Sequence, residues 1–191
     1  MNRPTLQFAP EVLLQAQGKT PQGIRAAIFD VDGVLTDGGI YYTAAGETLK
    51  VFNVMDGQGF LMLQKAGIEI VVITGRDSPP VRQRMKDFGI EYAYFGVKDK
   101  LHVAREVLNR LETDWGALAV IGDDWPDLPL LARAAFAVVP QNAHPEAKAV
   151  AHYVTKATGG QGAVREFCDV LLMAGAHYDR IYQQYLGAQD E

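Results

Sequence analysis

Apolar and polar positions along the 191-residue chain alternate between short uninterrupted apolar runs and longer amphipathic stretches. The runs at 24–31, 68–73, 92–94, 118–121, 136–139 and 152–154 have the length and side-chain character of strands buried on both faces. Between them, helical patterns cover 57–65, 80–88, 100–111, 127–132 and 145–149, and a last helix is expected over 163–173. Strands that alternate with helices in this way predict an α/β fold, a doubly wound parallel sheet with helices on both faces.

Two segments depart from the alternation. Residues 1–23 carry prolines at 4, 10 and 21, one short helical stretch at 11–17 and a Gly-Lys-Thr-Pro break at 18–21. They read as an N-terminal arm or leading helix before a single domain at 24–191. Within 38–55, two β-rich runs flank Ala44-Ala45-Gly46-Glu47, which predicts a β-hairpin inserted after the first strand and too short to be a second domain. The aromatic, amphipathic stretch at 178–185 reads as a surface for a neighbouring subunit.

Composition narrows the class. A hydrophobic content of 48% suffices for one sizeable core. A net charge of −5 argues against a general nucleic-acid binder. The single cysteine, Cys168, cannot form an internal disulfide, so a reducing, cytoplasmic setting is expected. No apolar run approaches the ~20 residues of a membrane span, and the N-terminus lacks the basic-then-apolar order of a signal peptide.

The candidate chemistry lies at strand ends, where ligands bind in open parallel sheets. The first strand runs into Asp30-Val-Asp32-Gly33 with Thr36 and Asp37 following. Two close carboxylates either hold a divalent cation or have their pKa values pushed apart, giving a nucleophile and a proton donor. Thr74-Gly75-Arg76 ends the second strand with a hydroxyl, a glycine amide and a guanidinium, groups suited to a phosphoryl anion. Lys100 opens a helix near a strand end; alone, it would read as a solvated helix charge. Gly122-Asp123-Asp124-Trp125-Pro126-Asp127 places three acids within five residues after a buried strand, a pattern that suits a hard metal such as Mg²⁺.

In order, these four pieces resemble the motifs of the haloacid dehalogenase superfamily of phosphohydrolases, over about residues 24–169. The closer resemblance is to its capless 3-deoxy-D-manno-octulosonate 8-phosphate (KDO 8-phosphate) phosphatases. It is carried by Asp30 through Gly38, Phe52-Asn53-Val54 with Asp56-Gly57, Thr74-Gly75-Arg76, Gly122-Asp123-Asp124 and Gly162-Ala-Val-Arg-Glu166. The resemblance implies a Mg²⁺-dependent phosphomonoesterase of lipopolysaccharide precursor synthesis. Asp30 would attack phosphorus and form an aspartyl-phosphate. Asp32 would protonate the leaving oxygen and then activate water. Thr74 and Lys100 would hold the phosphoryl group, and Mg²⁺ would sit on Asp30, the Asp32 carbonyl and Asp123. Asp124 and Asp127 would orient these ligands. Asp32, Asn53, Asp56, Gly57, Arg76, Arg84 and Lys100 would gather a small acidic sugar phosphate.

Two departures bear on substrate. Met55 and Gln161 stand where the octulosonate phosphatases carry basic residues, whereas Arg76 stands where the related nonulosonate 9-phosphate phosphatases carry glutamate. A nonulosonate 9-phosphate, a broader set of sugar phosphates, and a non-catalytic scaffold of the same fold are the alternatives. An open site beside an apolar hairpin (Ile40, Tyr41, Leu49, Val51, Phe52) predicts a homotetramer in which a neighbour completes each site. His102, His144, His152 and His177 lack zinc-ligand spacing, and Cys168 reads as core. The glycines at 159, 160 and 162 read as a loop approaching the active-site mouth.

Overall fold

The computed structural model describes residues 5–44 and 46–187. Six strands, β1 (Ala26–Phe29), β4 (Glu69–Ile73), β5 (Tyr92–Tyr94), β6 (Leu118–Ile121), β7 (Phe136–Val139) and β8 (Tyr153–Val154), form one parallel sheet in the order β5-β4-β1-β6-β7-β8. β1 lies inside the sheet, with Ile28 in register with Val71 on one side and Val120 on the other.

Strand alternation divides the core between the two faces. Ala27, Phe29, Ile70, Val72 and Ile121 face α2 (Val54–Lys65) and α7 (Ala163–Ala174), where Phe29 meets Phe60 and Phe167 edge-on at centroid distances of 4.7 and 5.4 Å. Ala26, Ile28, Val71, Leu118 and Val120 face α4 (Lys100–Arg110), α5 (Leu128–Leu131) and α6 (Pro145–Val150). The remaining helices are α1 (Pro10–Gln15), α3 (Pro79–Asp87) and α8 (Tyr178–Tyr185).

Several boundaries shift from the sequence reading for local reasons. β1 stops at Phe29 because residues 30–36 leave the sheet in a turn. α2 starts at Val54, since the Asn53 side chain accepts the Met55 N–H and caps the first turn. Ahead of α1, Phe8 packs on the core, as do Val12 and Leu13 within it. In α8, Ile181 is fully buried and Tyr178 packs on the same core, so one face of that helix is spent on its own domain.

β2 (Tyr41–Thr43) and β3 (Gly46–Leu49) form the expected antiparallel hairpin. Beside it, Tyr41, Tyr42, Leu49, Val51, Val54 and Met55 all leave large apolar surface exposed. Among the described residues, no helix is long and apolar enough to cross a membrane.

Candidate active site

The carboxyl ends of β1 and β6 bring two acids together. The Asp30 N–H donates to the Ile121 carbonyl (3.1 Å), so the first residue past β1 is fixed to the end of β6. Gly33 turns the chain with φ +83°, and a Cβ there would lie 2.0 Å from Asp123 Oδ2. Glycine is therefore required both by conformation and by the closeness of the second acid. Gly122 likewise leaves room for Asp127, whose Cβ would be 2.5 Å from a Cβ at that position.

Lys100, at the start of α4, reaches into this cluster. Its Nζ lies 2.8 Å from Asp30 Oδ1 and 2.7 Å from Asp127 Oδ1, and it is buried. Asp127 Oδ2 in turn accepts the N–H of Asp123 (3.1 Å). Thr74 follows β4 and is buried, its Oγ1 accepting the Arg76 N–H at 3.3 Å. These residues, with Asp32, Gly75, Arg76, Lys98 and the more exposed Asp124, line a cavity of about 580 Å³.

Charge in the cavity is not balanced by protein. One oxygen each from Asp30, Asp123 and Asp127 lies within 4.8 Å of the others. Burial, with the Asp127 charge added, pushes Asp30 up to about 8 against the pull of Lys100. Burial, with Asp127 and Asp124 beside it, pushes Asp123 up to about 7. Burial alone would lower Lys100, but Asp30 and Asp127 outweigh it and hold its pKa above the ordinary value. Three carboxylates sharing one ammonium, with oxygen as the only donor type, form a set that fits a hard divalent cation such as Mg²⁺. Asp30 and Asp123 are the ligands available to it, because Asp127 already gives one oxygen to Lys100 and the other to the backbone.

A second group of charges comes from the hairpin. Lys50 pairs with Asp32 Oδ1 and lies 3.4 Å from Glu47 Oε1. Glu47 Oε2 accepts from Arg76 Nε (3.2 Å) and Nη2 (2.9 Å), and Nη2 also donates to the Tyr42 hydroxyl (2.8 Å). The sequence reading gave no site role to Lys50, Glu47 or Tyr42. The available signal was a lysine set between Leu49 and Val51 in an otherwise apolar run.

Asn53, Asp56, Gly57 and Arg84 are brought together, but not into this cavity. They line a separate crevice with Phe52, Phe60 and Phe88. Arg84 stacks on Phe88 at 4.3 Å, and a Cβ at Gly57 would lie 2.5 Å from the Phe88 ring. Asp56 is buried and accepts the Arg165 N–H in the first turn of α7 (2.7 Å). Burial pushes its pKa up to about 6, with the Arg165 and Gly162 N–H groups opposing. Met55 and Gln161 are exposed. Gly159 and Gly160 press backbone to backbone on the turn after β1, with Gly160 N–H donating to the Val34 carbonyl (2.9 Å).

Comparison with known proteins agrees with this geometry. A haloacid dehalogenase-like hydrolase family matches residues 95–167. The 3-deoxy-D-manno-octulosonate 8-phosphate phosphatase KdsC of Yersinia pestis is 44% identical over 151 residues, 79% of this chain and 81% of its own length. The Escherichia coli K12 enzyme of the same name is 42% identical over 158 residues, 83% of this chain and 84% of its own. The crystal structure of the Moraxella catarrhalis phosphatase, in complex with magnesium, phosphate and KDO, superposes with a TM-score of 0.86. It shares 37% identity, covering 93% of this chain and 99% of that one. Identity above 40% over about four fifths of the sequence, together with the same fold, shows that the chain belongs to the 3-deoxy-D-manno-octulosonate 8-phosphate phosphatases, a branch of the haloacid dehalogenase-like hydrolases.

Proposed function

We propose that the chain hydrolyses 3-deoxy-D-manno-octulosonate 8-phosphate to the free sugar acid and inorganic phosphate. The observation that carries the reading is the buried Asp30 carboxylate, 2.8 Å from Lys100 and beside Asp123 at the end of the sheet. Asp30 attacks phosphorus, forming an O–P bond as the bond to the sugar oxygen breaks; Asp32 gives that oxygen its proton. In the second step Asp32 takes a proton from water as the water oxygen displaces Asp30 from phosphorus. Lys100 and Thr74 hold the phosphoryl oxygens through both steps, and Asp127 fixes Lys100. Mg²⁺ held by Asp30 and Asp123 supplies the positive charge that favours ionised Asp30 and offsets its repulsion from the phosphate.

Arg76 lies at the same cavity and carries a planar fork suited to the carboxylate of an acidic sugar. Asp124 orients the acidic loop. Asn53, Asp56, Gly57 and Arg84 act on this site through the start of α2, or on a neighbour's site across the exposed hairpin face. That face (Tyr41, Leu49, Val51, Val54, Met55) supports a homotetramer in which subunits roof one another's cavities, in the cytoplasm. Sedimentation equilibrium of the active enzyme is expected to give four subunits; an active monomer overturns this part.

A second reading, a nonulosonate 9-phosphate or a broader range of sugar phosphates, is favoured by Met55 and Gln161, neutral residues where the octulosonate phosphatases carry basic ones. Side-by-side kcat/KM for octulosonate 8-phosphate, nonulosonate 9-phosphate and hexose phosphates decides between them. The octulosonate ester is expected to lead by at least about tenfold, the equivalent of one well-placed polar contact. Equal values across the three overturn the assignment.

A further inference from the structure

The Lys50 ammonium is the only cation that the described structure pairs with Asp32, and the Lys50 side chain has 0% exposure. A buried lysine costs several kcal/mol in lost hydration unless carboxylates face it. Here two do, Asp32 and Glu47, from opposite ends of a segment that starts after β1 and returns through β3. Asp32 itself needs such a partner. It sits past the end of β1, in a turn, with 23% of its side chain exposed, whereas Asp30 is held by its N–H on Ile121 and by Lys100 on its carboxylate.

We infer that Lys50 is a positioning residue for the proton-transfer step: it binds Asp32 Oδ1 and thereby presents Oδ2 to the leaving oxygen. Lys50 does not line the cavity that holds Asp30, Thr74 and Lys100, so it acts through Asp32 and not on the phosphoryl group. Glu47 shares its carboxylate between Lys50 and Arg76, which seats the lysine on the domain whenever the hairpin is docked. The hairpin therefore supplies part of the acid–base machinery as well as covering the site.

This inference rests on Asp32 being the proton donor, and the two ideas fail differently. The readout is the ratio of kcat/KM for octulosonate 8-phosphate, whose alkoxide must be protonated, to kcat/KM for p-nitrophenyl phosphate, whose phenolate leaves without a proton; kcat/KM ends at transfer to Asp30 and leaves out the hydrolysis step that both esters share. Asp32→Asn should lower that ratio by about a hundredfold or more, the range of general acid catalysis. Lys50→Met should lower it by about ten- to a hundredfold with KM for either ester within about threefold. Lys50→Arg should restore most of the ratio. In the Asp32→Asn background, Lys50→Met should change the ratio no further, because a group that acts only through Asp32 has nothing left to position. If Lys50→Met does not fold, the Glu47→Gln/Lys50→Met pair removes the second uncompensated carboxylate, and the ratio is measured there. An unchanged ratio in Asp32→Asn overturns both ideas. A lowered ratio in Asp32→Asn with equal losses on both esters in Lys50→Met overturns the role of Lys50 alone.

Discussion

The cavity has two walls built by different means. One wall is set at the edge of the sheet: Asp30 stands just past β1, Asp123 and Asp127 in the turn after β6 and Lys100 in the first turn of α4, and the backbone of one strand fixes the first residue past the other. The other wall is the hairpin, where Lys50, Glu47 and Tyr42 meet Asp32 and Arg76 through side-chain ion pairs and hydrogen bonds. Groups that must meet phosphorus to within a few tenths of an ångström are placed by the ladder of a parallel sheet. Groups that recognise the rest of the substrate are placed by charges on an exposed arm. A rigid wall suits a reaction common to many phosphate esters; an arm tied by ion pairs suits a choice among them.

The sharpest way to break that contrast is at the sheet. Asp30→Asn should lower turnover at least about a thousandfold on every phosphate ester, as expected for loss of a nucleophile that works as one unit with its neighbours. Its melting temperature should not fall, since the carboxylate it removes is held up at about 8 by burial and by Asp127. Activity assays and thermal unfolding check both; retention of a tenth of the activity would end the role of Asp30.

At the hairpin wall the effect should be smaller and selective. Arg76→Ala should raise KM for octulosonate 8-phosphate by about tenfold, less than a free guanidinium would be worth, because Arg76 must exchange Glu47 for the substrate carboxylate. Hydrolysis of p-nitrophenyl phosphate should stay within about twofold. Equal losses on both esters would place Arg76 in the rigid wall.

Outside both walls, at Asp56, the expected effect is read in stability and not in turnover. Its folded pKa of about 6 stands above the ordinary 3.8, so the native state holds the proton more tightly than the unfolded chain. Its contribution to stability is fully present below about pH 4 and is lost as pH rises through 6, at a cost of up to about 3 kcal/mol by pH 7. Asp56→Asn keeps an acceptor for the Arg165 N–H, so it should raise the melting temperature at pH 7.5 and not at pH 4. Parallel curves for the two proteins across that range would refute the assignment.

The rigid wall was legible in the sequence and the arm was not. Apolar runs at 68–73, 118–121 and 136–139 end within a residue of where the strands end, and Thr74 and Asp123, which follow the first two, stand at the sheet edge because a buried strand leaves them nowhere else. Lys100 alone would read as a solvated charge; only the approach of β1 and the Asp127 turn makes it a buried one. Lys50 escaped because its burial depends on the hairpin folding back over Asp32, a contact that no periodicity encodes. Asn53 and Asp56 mark a different limit. A residue that caps a helix and one that binds a ligand have the same chemistry, and in this fold Asn53 closes the first turn of α2 while Asp56 closes that of α7.

The Gly159–Gly160 loop has a consequence for synthesis of the chain. A Cβ at Gly159 would lie 1.8 Å from the Gly33 carbonyl oxygen, so the turn that carries Asp32 rests on backbone made about 125 residues later. A ribosome that has finished Ala157 has already joined Asp30, Asp32, Thr74, Lys100, Asp123 and Asp127 into the chain. It has not yet emitted the prop beneath their turn, nor α7, which packs against Phe29. Unfinished chains should therefore hold every reactive acid and hydrolyse nothing, and activity should appear only once the last sixth of the protein is clear of the exit tunnel.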